Sequence, residues 1–185
     1  MRRIRGGRVA LTALLFLAVS LLAGCPLVSD TPLSDPRSAV TDPGLIGTWR
    51  AVDPETGEAH VLRIERFDEH GMVGVAQEAD PQKTSIMRLF PTRVGPEAFL
   101  SIQELGHEDT GWYLARYRLE NGALRLKLVD DELFKDRRFS SSDELRAFVA
   151  RNLADPRLYA SAGDTPAEMV LERAEPPADG SGPKS

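Results

Sequence analysis

Cysteine is almost absent from this chain: there is one, Cys25, in 185 residues. No disulfide can form within it, so the fold must rest on a packed core. Histidine is as sparse, with His60, His70 and His107 the only three. No His-x-x-x-His and no cysteine pair presets a metal site. Each histidine neighbours an acid, and His70 and His107 fall in turn sequences, DEHG and GHEDTG. All three read as ordinary surface or strand-start residues, and no metal or cofactor is expected. A Gly-x-Ser-x-Gly elbow and a glycine-rich strand-to-helix loop are also missing, Gly71 and Gly74 standing at no such junction. Ser140–Ser142 read as a helix cap, and Asp130, Asp131 and Glu132 as a solvated corner. A catalytic role is therefore not expected.

Long apolar runs are lacking after residue 24. Before it, Arg2, Arg3, Arg5 and Arg8 lead into sixteen uncharged residues, Val9–Gly24, short of the roughly 20 that a spanning helix needs. A basic start, an apolar stretch and small residues before position 25 make residues 1–24 a signal peptide. Leu22-Ala23-Gly24-Cys25 resembles the lipobox of bacterial lipoprotein precursors. That resemblance implies a diacylglycerol on the Cys25 sulfur and acylation of the new amino terminus. Two or three acyl chains meet the requirement for stable anchoring. Pro26 and Leu27 follow the cysteine where inner-membrane retention in enteric lipoproteins is associated with aspartate, so the expected address is the outer membrane, facing the periplasm.

Residues 1–24 hold four of the 23 basic residues and none of the 28 acidic ones, which leaves 19 against 28, a net charge of −9. Nucleic acid is a poor partner for such a surface.

Residues 25–43 carry the lipidated cysteine and four prolines, and read as a solvated, semi-extended tether. Residues 176–185, PPADGSGPKS, read as a disordered tail. Between them, residues 44–175 carry short strand-like runs separated by turn signals: LIGTWRAV, HVLRIERF, MVGVAQ, SIMRLFPT, EAFLSIQEL, WYLARYRL and ALRLKLV. Asn121-Gly122 predicts a tight hairpin, and Leu124, Leu126 and Leu128 alternate with more polar neighbours. The period then changes. Ser141 to Glu144 fits a capping box, with Leu145, Phe148, Val149 and Leu153 on one helical face, and Asp155-Pro156 ends the helix. A last strand, EMVLERA, brings the count to eight. The expected class is mainly β: an antiparallel meander forming a barrel or flattened barrel, with one amphipathic helix before the last strand.

Gly47-Thr48-Trp49 opening the first strand, a meander, a helix and a final strand carrying arginine are together similar to lipocalins and lipocalin-like bacterial domains. The resemblance implies that Trp49 sits at the closed end of the barrel with Arg173 packed over its ring. The helix before a final strand, and the lack of disulfides, depart from the secreted members of that family.

Tyr113, Ala115, Tyr117 and Leu119 share one strand face, and Met72, Ile86, Phe90 and Phe99 are candidates for the same interior. An eight-stranded barrel either fills that space with side chains or holds one small molecule. The expected function is that of a lipid-anchored periplasmic barrel binding a small apolar or lipid-like ligand. The alternative is an envelope interaction or assembly accessory with a solid core.

Overall fold

The computed structural model describes residues 26–52, 57–77, 83–106, 111–135, 137–162 and 165–174. Cys25, the expected signal peptide (residues 1–24), His107 and the expected tail (residues 176–185) lie outside the described residues.

Eight antiparallel strands close on themselves. They are β2 (Gly47–Val52), β3 (Ala59–Arg66), β4 (Met72–Gln77), β5 (Thr84–Val94), β6 (Glu97–Glu104), β7 (Trp112–Glu120), β8 (Ala123–Leu128) and β11 (Met169–Arg173). Consecutive strands pair from β2 to β8, and β11 seals the barrel between β8 and β2. A short strand β1 (Val28–Ser29) adds to the start of β7. The two-residue strands β9 (Ser161–Ala162) and β10 (Thr165–Pro166) form a hairpin of their own. The β7–β8 turn is the expected one, with Asn121 at φ 53° and Gly122 at φ 78°.

The single α-helix among the described residues, α1 (Ser142–Arg151), is capped as its sequence predicts: the Glu144 N–H donates to Ser141 Oγ at 3.3 Å. The Glu144 carboxylate accepts from the N–H and hydroxyl of Ser140, both at 2.9 Å. Leu145, Phe148 and Val149 are buried against Val94, Phe99 and Leu114 on the outer wall, so the helix covers the barrel from outside.

Alternation along the strands sorts the side chains. Trp49, Leu62, Ile64, Met72, Met87, Leu89, Leu100, Ile102, Ala115, Tyr117, Leu124 and Leu171 form the interior cluster. Their neighbours one residue away face out.

Residues 26–43 depart from the expected tether. They form a strap running the length of the barrel wall. The Leu27 N–H donates to Val129 O at 2.9 Å, the Leu33 N–H to Ser101 Oγ at 3.2 Å, and the Ser34 and Thr92 hydroxyls share a bond of 2.7 Å. Leu33 is completely buried, and Leu27 and Ala39 nearly so. The prolines give short turns rather than disorder. Asp35 and Asp42 each stand before a proline and accept the N–H two residues on, from Arg37 and Gly44. Each thereby starts a single turn of 3-10 helix.

Candidate functional site

The two ends of the barrel are built differently. At the base, where β2 begins, the interior is filled. Trp49 is 1% exposed and its indole N–H donates to Leu45 O at 2.8 Å. Arg173 lies across the ring with its guanidinium carbon 4.3 Å from the centroid, as the lipocalin resemblance implies. Tyr117 donates its hydroxyl to Asp42 Oδ2 at 2.9 Å. Burial, with Asp42 alongside, holds the Tyr117 proton well above the ordinary tyrosine range.

At the opposite end, where β2 finishes and β3 begins, the inward ring mixes small and polar residues with Tyr113, Leu128 and Met169. Ala51, His60, Ala76, Ser85, Glu104 and Tyr113 have the parity of the core residues Trp49, Leu62, Met87, Ile102 and Ala115 on the same strands, so they point inward. Ala51, Ser85, Tyr113, Leu128 and Met169 are only partly buried there. Glu104 is 6% exposed. Burial, and then the charge of Glu104, raise the pKa of Tyr113 above its usual value, which puts the phenol and that carboxylate in one neighbourhood.

His60 is the unusual member of this ring. It is 8% exposed, both ring nitrogens are shielded from solvent, and neither has a hydrogen-bond partner. Neutral imidazole carries one donor and one acceptor, and leaving a buried polar group unpaired costs about 1–3 kcal/mol. The other two unpaired buried atoms among the described residues, Thr31 Oγ1 and Arg125 Nε, lie on the strap and on the outer face. His60 is thus the one wholly unsatisfied side chain aimed into the barrel among the described residues.

The six expected cavity residues divide. Met72, Tyr113 and Tyr117 face the interior, Met72 and Tyr117 within the filled core and Tyr113 in the polar ring. Ile86 instead points outward and is 47% exposed. Phe90 is buried outside the barrel against Trp112 and Ala39, with the Trp112 ring edge-on at 5.2 Å. Phe99 is buried under the helix. The physical reason is parity: Met87 and Leu89 take the inside of β5, which sends Ile86 and Phe90 out, and Leu100 does the same to Phe99 on β6.

His60, read as an unremarkable strand-start residue, was legible. It alternates with Leu62 and Ile64 in AHVLRIER, which sets all three on one face. His70 is spent at the base, where Nδ1 meets Ala39 O at 2.9 Å and Nε2 lies 3.2 Å from Glu69. Asp130, read as part of a solvated corner, is buried and accepts the Glu132 N–H at 2.8 Å. Among the described residues no group of three or more histidine, cysteine or acidic side chains is placed to hold a metal ion.

Fold and site together define a closed, eight-stranded antiparallel barrel, plugged at one end and lined with small and polar residues at the other. Comparison with protein-family models, with curated proteins and with solved structures finds no match to this chain.

Proposed function

We propose that this chain is a lipid-anchored periplasmic protein whose barrel, lipocalin-like in plan, binds one small, mostly apolar molecule through the end lined by His60. The observation that carries the reading is the unsatisfied His60 imidazole. Buried polar groups in folded proteins are paired as a rule, and a ligand's hydroxyl, carbonyl or carboxyl group entering this ring would pair it. Ala51, Ala76 and Ser85 are its small neighbours in the ring, and Tyr113 supplies an aromatic wall. The Leu22-Ala23-Gly24-Cys25 motif supports the anchor. Cys25→Ala is expected to abolish acylation and release the domain from membranes.

Native mass spectrometry of residues 26–185 secreted to the periplasm tests the ligand. A discrete added mass that disappears on denaturation, and is lost in His60→Leu, supports this reading. A bare protein favours the second reading, an envelope interaction module with a solid core, for which the filled Trp49 end speaks.

A further inference from the structure

The strap begins at the end lined by His60. Val28 pairs with Tyr113, itself a member of the polar ring, Ser29 pairs with Trp112, and Pro26 bridges Asp130 just past the end of β8. The chain therefore reaches its first described residue beside the ring of His60, Glu104 and Tyr113, and crosses the wall from there to the base. Pro26 is already tied to the barrel, so an anchor on Cys25 is one peptide unit away, about 3.8 Å between consecutive Cα atoms. There is no free tether to let the domain turn over.

The same end exposes a broken apolar rim. Val28, Val52, Ile86 and Leu105 are 53%, 51%, 47% and 46% exposed. Val52 ends β2, and Ile86 lies near the start of β5. Leu105 follows β6 and donates its N–H to Ile86 O at 2.8 Å, which sets those two side by side. Alongside, a groove of about 880 Å³ is lined by the strap from Pro26 to Asp30 and by Lys135, Arg137 and Arg138. Asp131 also lines it, and Lys135 pairs with that acid at 3.8 Å. The base exposes apolar groups too, Phe67 and Leu119 among them. The attachment point, rather than apolarity alone, selects the face.

We propose that the His60 end of the barrel rests on the bilayer that holds the anchor, with Val28, Val52, Ile86 and Leu105 against the interface and Arg137 and Arg138 toward lipid phosphates. The ligand of the His60 ring is then a membrane-resident amphiphile with a hydrogen-bonding head, exchanged with the bilayer and not with bulk water. This rests on the lipid-anchor and ligand-site readings above. It adds an orientation that neither of them requires.

The test uses full-length acylated protein in phosphatidylethanolamine–phosphatidylglycerol vesicles containing nitroxide-labelled lipid. Single fluorophores are placed through Ile86→Cys or Leu105→Cys at the His60 end and Phe67→Cys at the base. The eight residues of β3 separate the two ends by roughly 26 Å at about 3.3 Å per residue. Quenching at positions 86 and 105 is expected to exceed that at 67 at least threefold. A Gly-Ser insert of twelve residues between Cys25 and Pro26 is expected to shrink the difference. Equal quenching, or stronger quenching at 67, in protein whose intact mass carries the acyl chains overturns the orientation and leaves the anchor standing. A mass without acyl chains overturns the anchor reading and this proposal together. If the asymmetry holds while the native mass is bare, the orientation stands and the ligand reading falls.

Discussion

Arg173 bridges the two ends of the domain's own chain. Its guanidinium lies 4.3 Å above the Trp49 ring and donates to the carbonyls of Gly44 at 2.7 Å and Ile46 at 3.0 Å. The last strand thus holds the entry to the first. Gly47 makes this approach possible. It sits at φ 140°, and a Cβ there would stand 2.5 Å from Arg173 Nη1. Arg173 is exposed, so its bonds are screened. Arg173→Ala is expected to cost about 1–2 kcal/mol, from lost charge-assisted hydrogen bonds and a cation–π contact. Trp49→Ala, which empties a buried site, is expected to cost about 3–5 kcal/mol. Gly47→Ala should cost more than Arg173→Ala, because alanine is strained at that φ whatever stands beside it, and the double variant should fall short of the sum by about the worth of the contact that both break. Urea denaturation of the four proteins checks this; additive losses would show that the glycine acts through its own backbone conformation and not through the arginine.

All eight barrel strands were legible because their alternation is regular and their turns carry strong signals, Asn121-Gly122 above all. The Gly-x-Trp and final-strand arginine pairing came through family resemblance rather than spacing. What misled was burial on both faces. On β5 the side chains from Leu89 to Thr92 are all buried, because strap and helix cover the outer wall. Apolar content then no longer tells inside from outside, and Phe90 and Phe99 were placed in the interior. The strap itself was hidden by composition: proline and aspartate suggest solvation, whereas Leu27, Leu33 and Ala39, six residues apart, pin the segment down.

That pinning is testable. A tether can be removed without loss, but Leu33→Ala is expected to destabilise the domain by about 2–5 kcal/mol, since Leu33 is wholly buried. A chain starting at Gly44 should melt well below one starting at Pro26. Equal melting temperatures would restore the tether.

Asp130 gives a pH dependence. Burial raises its pKa above the usual 3.8, although its bond from the Glu132 N–H works in the opposite sense. A carboxyl whose folded value exceeds its unfolded one binds protons more readily when folded. Its ionisation therefore costs stability as pH rises from the unfolded value through the folded one. Asp130→Asn keeps an acceptor for Glu132 and removes that cost. The variant is expected to melt above wild type at pH 7, with the difference vanishing below about pH 4. A variant that melts lower at pH 7 would show that the charge itself is needed there.

His60 separates a binding role from a structural one most sharply. If its unpaired nitrogens serve only the fold, nothing is gained from them, for they touch no partner and are cut off from water. Replacing the ring by leucine removes a desolvated donor and acceptor while roughly preserving volume, so His60→Leu is expected to stabilise the ligand-free domain by about 1–3 kcal/mol. Sites kept for function commonly carry such a cost. A bound molecule that pairs the imidazole would add stability to wild type alone, growing with ligand concentration relative to its dissociation constant. Wild type purified from the periplasm should then lose stability once stripped of ligand by denaturation and refolding, and the leucine variant should not. Were His60→Leu instead destabilised to the same degree before and after stripping, the imidazole would be part of the core, and the polar ring would have no claim on a ligand.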